Sequence, residues 1–207
     1  MSRSFRAILF CSLVLSFLFL TNLAMASSNK TLDNLQTAFN GESNAHAKYL
    51  VYATQADKEG YPEVASLFRA AARAEEIHAN NHAVVIKKLG GVPTAKIETP
   101  APKSTKENLQ DAIAGESYER DKMYPEFLKE ARATGNRDAV QTFNYAKSAE
   151  AEHAKLYTAA LNNLDNLKGK AGKTYFVCGV CGFTTEKMDF AKCPSCFSPK
   201  EKYEKVA

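Results

Sequence analysis

The chain has 207 residues, with 27 basic and 23 acidic side chains and a formal net charge of +4. This length allows one sizeable domain and a small additional module. So small an excess of positive charge gives no reason to expect nucleic acid or a membrane surface as a partner. Four of the five cysteines fall between Cys178 and Cys196, so cysteine chemistry is concentrated near the C-terminus.

Residues 1–26 are predicted to be a secretory signal peptide. Arg3 and Arg6 precede the apolar run Ala7–Leu20, and Ala24–Ala26 offers an A-x-A cleavage site. An uncleaved membrane anchor is the alternative, since about 18 to 20 apolar residues can span a bilayer. We therefore expect an exported, periplasmic protein, anchored in the membrane only if this segment is retained. Cleavage would leave 25 basic and 23 acidic residues, a net charge of +2.

Residues 27–168 are predicted to form a four-helix bundle, which makes the chain mainly α. Apolar side chains recur every three or four residues through most of this range, which is the period of an amphipathic helix. Gly60 and Pro62 separate the first helix from the second, and Gly135 separates the third from the fourth. The proline-rich segment Val92–Pro102 is too long for a tight hairpin, so it predicts a long crossover between helices two and three.

The third helix carries a start signal, an interruption and part of an internal repeat. Ser104 and Glu107 have the spacing of a capping box, which predicts the start of the helix. Pro125 lies inside the apolar pattern and predicts a kink or a local bulge. The tripeptide Gly41–Ser43 recurs as Gly115–Ser117, 74 residues later. We therefore expect two similar helical hairpins related by approximate twofold symmetry.

Carboxylate and imidazole side chains interrupt the apolar stripe of every helix near its middle. One such residue alone is typically a paired or partly exposed side chain, but seven unpaired in one core would be very costly. No lysine or arginine lies on the stripes to neutralise them, whereas two divalent cations would. Two helices supply a Glu and two supply Glu-x-x-His, the pattern of a dinuclear bundle site suited to iron or manganese. The predicted ligands are Glu42, Glu75, His78, Glu116, Glu119, Glu150 and His153.

Glu119 and two histidines near the ligands need separate interpretation. Glu119 is surplus to the dinuclear pattern, and the symmetry-related position holds Ala45. We expect Glu119 to be an alternative ligand for a metal whose charge changes during turnover. His82, one helical turn after His78, is expected to be a packed core histidine, with a hydrogen-bond donor beside the ligands or an additional ligand as the alternatives. His46 is expected to orient other groups or to be exposed.

Residues 169–207 form a second, cysteine-bearing module. Cys178 and Cys181 form one Cys-x-x-Cys pair and Cys193 and Cys196 another, with eleven residues between the pairs. Two disulfides are an alternative in an exported protein. Glycine and proline around the pairs favour knuckles that hold one metal in a tetrahedral sulfur site. The spacing leaves both zinc and iron open.

With both sites in view, the chain from about Thr31 to the C-terminus resembles rubrerythrin. This resemblance implies a ferritin-like di-iron bundle joined to a small, β-rich rubredoxin-like Fe(Cys)4 domain, with zinc possible as a substitute in the cysteine site. It also implies that Glu119 and His78 exchange on one iron with oxidation state, and that Tyr49 and Tyr124 lie beside the di-iron site. The motifs that carry it are GES, EEIHA, GESYERDKMYP, EAEHAK, FVCGVCGF, CPSC and PKEKYE.

The resemblance implies a non-haem di-iron peroxidase that reduces hydrogen peroxide to water. Electrons would pass through the Fe(Cys)4 site from an unidentified donor protein, NAD(P)H-linked or otherwise. A ferritin-like iron-oxidising and iron-binding protein and a pure electron carrier are the alternatives. We also expect a homodimer or higher homo-oligomer, in case electrons have to reach a di-iron site in another subunit. The signal peptide departs from the family, whose members are usually cytoplasmic.

Overall fold

The computed structural model describes residues 3–98 and 101–207, and for residues 3–29 the backbone alone. The predicted signal peptide lies outside the residues whose side chains are described, so it stays a prediction. Among the residues whose side chains are described, no helix is long and apolar enough to cross a membrane. The helices are α1 (Arg3–Lys58), α2 (Pro62–Lys88), α3 (Thr105–Tyr118), α4 (Tyr124–Ala133), α5 (Arg137–Asn162) and the short α6 (Leu164–Leu167).

The helix boundaries follow the predicted start and stop residues. Pro62 opens α2, and Gly60 and Gly90 on either side of it have φ of +82°, a left-handed conformation that glycine adopts without strain. Ser104 accepts a hydrogen bond from the backbone of Glu107, whose side chain accepts one from the Ser104 backbone. The capping box is therefore confirmed.

Pro125 produces a bulge rather than a simple kink. The residues just before it, Glu119–Met123, form a π-helical turn that joins α3 to α4. Proline cannot donate a backbone hydrogen bond and its ring crowds the preceding turn, so the backbone gains an extra residue here. The bulge also carries Glu119, which therefore does not occupy the position that a regular helix would give it.

Two helical hairpins, α1 with α2 and α3–α4 with α5, make the bundle, and a long crossover connects them. Gln36 donates to the Val92 carbonyl at 3.0 Å, and Asn44 donates to the Lys96 carbonyl at 2.9 Å. These bonds hold the crossover against α1. The predicted mainly α architecture is confirmed.

Two apolar clusters fill the bundle, one on each side of its ligand-bearing middle. One cluster packs around Tyr49 and Phe68, and the other around Tyr124 and Phe143. Each aromatic pair is fully or almost fully buried. The pairs are related by the internal repeat, so the predicted twofold symmetry extends to the core.

The C-terminal module is a small antiparallel sheet with order β2-β1-β3. Its strands are β1 (Tyr175–Cys178), β2 (Thr184–Thr185) and β3 (Tyr203–Val206). The backbone N–H of Gly169 donates to the Gly60 carbonyl at 2.8 Å. A Cβ on Gly172 would lie 3.1 Å from Ser66 Oγ. The connection therefore runs against α2 and brings the module onto the bundle of the same chain.

Candidate metal centres

Six of the seven predicted ligands meet at the centre of the bundle, in two overlapping groups. The ligand atoms of each group lie within 4.8 Å of one another, and every residue is buried. Glu75 and Glu150 belong to both groups, which is the arrangement that bridges two metal ions. The groups are Glu42, Glu75, His78 and Glu150, and Glu75, Glu116, Glu150 and His153.

Buried polar atoms without hydrogen-bond partners converge on this space. They include Oε2 of Glu42, Oε1 of Glu75, Oε2 of Glu116, both carboxylate oxygens of Glu150 and Nδ1 of His153. Buried polar atoms are normally hydrogen-bonded, and leaving them unpaired is costly. Oxygen and imidazole donors that lack protein partners are suitable ligands for divalent iron. The residues present therefore fit a pair of metal ions.

The shifted pKa values of the ligand side chains reflect the crowding of negative charge in this pocket. Burial, followed by repulsion from Glu75, raises the pKa of Glu150 to about 8. Burial lowers the pKa of His78 and of His153, but the neighbouring carboxylates outweigh it and raise both well above the usual value. Bound dications satisfy these carboxylates in place of protons, so metal binding is expected to release protons.

Two tyrosines donate hydrogen bonds to Glu42 and Glu116, the carboxylates that each belong to only one of the two groups. Tyr49 donates from its hydroxyl to Glu116 Oε1 at 2.6 Å. Tyr124 donates a short hydrogen bond to Glu42 Oε1. Burial and the charge of the adjacent carboxylate raise the pKa of both tyrosines well above the usual value. Both therefore remain protonated donors, each holding one oxygen of its carboxylate.

In both ligand histidines, His78 and His153, Nδ1 faces the metal-binding pocket and Nε2 faces the cysteine module. His78 Nε2 lies 3.1 Å from the Cys181 carbonyl oxygen, which only accepts, so Nε2 carries the proton. His153 Nε2 lies 2.9 Å from Thr184 Oγ1, which itself donates to the Gly182 carbonyl at 3.1 Å. Nε2 therefore donates here too. Nδ1 of each ring faces the ligand carboxylates, with His78 Nδ1 2.8 Å from Glu75 Oε2 and His153 Nδ1 3.1 Å from Glu150 Oε2, and can bind metal once its proton is released.

The cysteine module approaches His78 so closely that only glycine fits at the contact. Gly182 has φ of +76°, and a Cβ added there would lie 2.2 Å from His78 Nε2. Beside it, the Asn81 side chain donates to the Val180 carbonyl at 2.9 Å. The first cysteine knuckle is thus held directly over the metal-binding face of α2.

Glu119 is the one predicted ligand that lies outside both groups. Its Oε1 is 3.8 Å from the position of a Cβ on Gly41. It lines a cavity of about 300 Å³ together with Lys48. Burial, followed by the charge of Glu42, raises the pKa of Glu119 well above the usual value. In this conformation His78, rather than Glu119, completes the first group.

The other two histidines also lie outside the groups, as expected. His46 Nδ1 is 2.7 Å from the Ala72 carbonyl oxygen and links α1 to α2. His82 is fully buried, with Nδ1 2.9 Å from Thr142 Oγ1 and Nε2 3.2 Å from the Tyr124 hydroxyl. Burial lowers the pKa of His82 below the usual value, so the ring is neutral at pH 7.

The four cysteines of the module form a second centre. All are free, and the sulfur pairs measured across the two knuckles are 3.7 and 3.6 Å apart. A disulfide requires about 2.05 Å, so the disulfide alternative is wrong. A tetrahedral ion with metal–sulfur bonds of about 2.3 Å places its sulfurs about 3.75 Å apart. The residues that fit such an ion are Cys178, Cys181, Cys193 and Cys196.

Comparison with known proteins identifies the combination of these two centres. A sequence profile for rubrerythrin matches residues 33–161. Nigerythrin of Nitratidesulfovibrio vulgaris is 39% identical over 189 residues, covering 88% of this chain and 92% of that protein. Rubrerythrin-2 of Clostridium acetobutylicum is 40% identical over 177 residues, covering 84% and 95%. The chain belongs to the rubrerythrin family.

Solved structures support the same assignment. The structure of fully reduced, all-ferrous nigerythrin matches with a TM-score of 0.78 at 38% identity, covering 84% of this chain and 86% of that one. A bacterioferritin of Desulfovibrio desulfuricans matches with a TM-score of 0.66 at 22% identity, covering 72% and 92%, and so shares the fold. The rubrerythrin-type chain thus combines a ferritin-like bundle bearing a di-iron site with a rubredoxin-like iron site, as predicted.

Sequence reasoning missed the residues that join the two centres. Gly182 lies against His78 across about a hundred residues of chain, and Thr184 contacts His153 across 31 residues. No periodic pattern marks such pairings. The cysteine module lies on the di-iron site of its own chain, so this contact does not require a second subunit. The oligomer stays a prediction.

Proposed function

We propose that this rubrerythrin-family oxidoreductase reduces hydrogen peroxide to water and so serves in defence against oxidative stress. The observation that carries the proposal is the hydrogen bond from His78 to the Cys181 carbonyl, which joins a two-metal pocket to a one-electron centre. Two ferrous ions, when bound, supply the two electrons that split the O–O bond of peroxide. With two protons added, each peroxide gives two waters.

The residues of the bundle prepare the pocket for this reaction. Glu75 and Glu150 contribute to both metal positions and keep the two positions adjacent. Tyr49 and Tyr124 hold the remaining carboxylates and are the protonated hydroxyls bonded to the ligand set. The apolar clusters on either side exclude water, which strengthens every charge interaction within the pocket.

We propose that Glu119 and His78 alternate at one metal position as its oxidation state changes. An anionic carboxylate matches the higher metal charge, and a neutral imidazole matches the lower one. Glu119 stands on the π-helical turn next to a cavity, which gives its side chain room to move. In the present conformation His78 lies in the group and Glu119 lies outside it, which is the arrangement we propose for bound ferrous ions.

Electrons are proposed to reach the pocket through the backbone of the first cysteine knuckle. The path runs from the Cys181 sulfur through its own backbone to the carbonyl oxygen, and across one hydrogen bond to His78 Nε2. Nδ1 of the same ring belongs to the metal-binding group. A sulfur-ligated iron changes charge by one electron, so two such transfers restore the reduced pocket. The donor that reduces this module is an electron-donor protein, NAD(P)H-linked or otherwise.

Stopped-flow mixing of the reduced protein tests the proposed reaction. Peroxide is expected to oxidise the di-iron site faster than dioxygen does, and Glu119→Ala is expected to slow the peroxide reaction. Glu76→Ala is the matched control, because Glu76 is an exposed carboxylate on α2 that pairs with Arg73. Equal rates with the two oxidants, with no loss on Glu119→Ala, would contradict the proposal. Many irons per chain would instead support a ferritin-like storage role.

We also propose that the protein is exported, on the strength of residues 1–26 of its sequence. Cell fractionation together with the N-terminal mass of the mature protein tests this location. A periplasmic protein that begins near residue 27 is expected. A protein with an intact N-terminus in the soluble cytoplasmic fraction would contradict it.

A further inference from the structure

A line of hydrogen bonds leads away from the di-iron pocket on the His78 side. Tyr124 gives its hydroxyl proton to Glu42, so its oxygen accepts the hydrogen bond from His82 Nε2 at 3.2 Å. With Nε2 donating, a ring that carries a single proton accepts at Nδ1 from Thr142 Oγ1, which lies 2.9 Å away. In that tautomer every bond in the line points the same way, from Thr142 through His82 and Tyr124 to Glu42.

The repeat-related side of the pocket has rings at the equivalent positions, but it lacks this line of hydrogen bonds. An offset of 75 residues relates Tyr124 to Tyr49, and it relates His82 to Tyr157. The ring centroids of Tyr49 and Tyr157 are 5.6 Å apart, and those of His82 and Tyr124 are 6.1 Å apart. Yet among the described residues the buried Tyr157 hydroxyl has no hydrogen-bond partner.

The position equivalent to Thr142 explains part of this difference. An offset of 75 residues places Leu67 there, which offers no hydroxyl. Leu67 is 1% exposed and belongs to the apolar cluster around Tyr49. The two halves of the bundle are therefore alike in shape, but only one of them supplies a polar partner behind its tyrosine.

We propose that His82 is a positioning residue that fixes Tyr124 as the donor to Glu42 and so makes the two metal positions unequal. The N–H that His82 gives to the Tyr124 oxygen polarises the hydroxyl and strengthens its bond to Glu42, because successive hydrogen bonds reinforce one another. Tyr49 lacks this support. The inference rests on the proposed function only where rates with peroxide are compared.

The direction of the hydrogen bonds can be read in the metal-free full-length protein. Long-range proton–nitrogen NMR with labelled histidine reports which ring nitrogen of His82 carries the proton, and the loss of the signals in His82→Gln assigns them. A neutral ring protonated on Nε2 is expected. A ring protonated on Nδ1 alone, or on both nitrogens, would overturn the proposal. This measurement requires no iron loading of any variant.

The inequality of the metal positions can be read by Mössbauer spectroscopy of the reduced protein loaded with ⁵⁷Fe. Relative to wild type, His82→Leu is expected to change the signal of one di-iron position and leave the other. His82→Gln is expected to restore the wild-type signal, because its amide can both donate to Tyr124 and accept from Thr142. Tyr157→Phe, at the equivalent position, is the matched control and is expected to leave both signals unchanged.

The reaction rate gives an independent reading. His82→Leu is expected to slow oxidation by peroxide about tenfold, the effect of one hydrogen bond of ordinary strength, while His82→Gln and Tyr157→Phe stay near wild type. Identical Mössbauer spectra for wild type and His82→Leu, or an equal change on Tyr157→Phe, would overturn the role of His82. A wild-type protein that does not react with peroxide would contradict the proposed function, while NMR and Mössbauer spectra still decide the role of His82.

Discussion

The two metal centres of this protein are built on opposite principles, although they are in direct contact. The bundle centre combines buried carboxylates and imidazoles, several of whose atoms have no protein partner. The cysteine centre uses four sulfurs whose spacing already matches one tetrahedral ion. In the cysteine centre, a hydrogen bond from Cys181 lowers the pKa of Cys178 to about 5, and backbone N–H groups assist. That centre is saturated by its own ligands, whereas the bundle centre has a spare carboxylate, Glu119.

This difference explains why one centre is suited to bond breaking and the other to electron transfer. A saturated sulfur site has no position for a substrate, so it can only gain or lose an electron. A carboxylate-rich site can change its ligands, and Glu119 with His78 offers the means. The contact at Gly182 places the two centres side by side in one chain.

The largest effect is expected from removing a carboxylate shared by both metal groups. Glu75→Gln should prevent normal loading of the pair and lower the rate with peroxide by at least about 100-fold. The same change should stabilise the metal-free fold, because burial and then repulsion from Glu116 raise the pKa of Glu75. Iron analysis, stopped-flow rates and thermal unfolding measure these effects. Glu76→Gln is the control, and a fully loaded, active Glu75→Gln protein would contradict the assignment.

Disabling the cysteine centre should separate electron supply from bond breaking. Cys181→Ser is expected to abolish turnover driven by an external reductant, since the path to His78 begins at this residue. One round of peroxide reduction by chemically reduced protein should survive, because the bundle ligands are unchanged. Steady-state and single-turnover assays distinguish the two. Turnover that persists in Cys181→Ser, with zinc in the module after iron-replete expression, would exclude the relay.

A smaller effect is expected from moving the two centres apart. Gly182→Ala places a Cβ 2.2 Å from His78 Nε2 and should displace the knuckle. Both centres should still load, but electron transfer between them should slow by about tenfold or more, given how strongly rates depend on small misplacements. Gly135→Ala is the control, because Gly135 has φ of +66° but open space around it. Equal slowing in both variants would show a general effect of strain.

The smallest expected effect is the pH dependence of stability, which should be strong in the metal-free protein and weak in the iron-loaded protein. The folded-state pKa of Glu150, about 8, lies above the ordinary 4.5, and those of His78 and His153 are also raised. The folded state therefore binds more protons than the unfolded state, so stability falls as pH rises from 6 to 8. The metal-free Tm should drop by about 5 °C or more over this range. The iron-loaded protein should show a much weaker slope, and a metal-free Tm that rises with pH would contradict the account.

The sequence predicts the metal ligands of the bundle well, because their helical spacing is a property of residues close together in the chain. Glu75 and His78 share a helix face through their spacing alone, and the repeat doubles the signal at Glu150 and His153. Pro125 likewise predicts a bulge, since its effect on the backbone is intrinsic. These features depend on few contacts between distant parts of the chain.

The rest of the site depends on contacts between distant residues, which no spacing reveals. The docking of the cysteine module is set by pairs such as Thr184 with His153 and Gly182 with His78. The role proposed for His82 depends on Thr142, a residue unremarkable in sequence. Local periodicity thus predicts where the ligands point, but not what covers them.

A dilution experiment shows whether the cysteine module delivers electrons to the pocket that it covers. Fully reduced protein is mixed with excess peroxide in a stopped-flow instrument over about a 100-fold range of protein concentration, while the visible absorbance of the Fe(Cys)4 centre is followed. We expect that centre to be oxidised after the di-iron site, at one limiting rate that is independent of protein concentration. A rate proportional to protein concentration, or an Fe(Cys)4 centre that stays reduced, would contradict it.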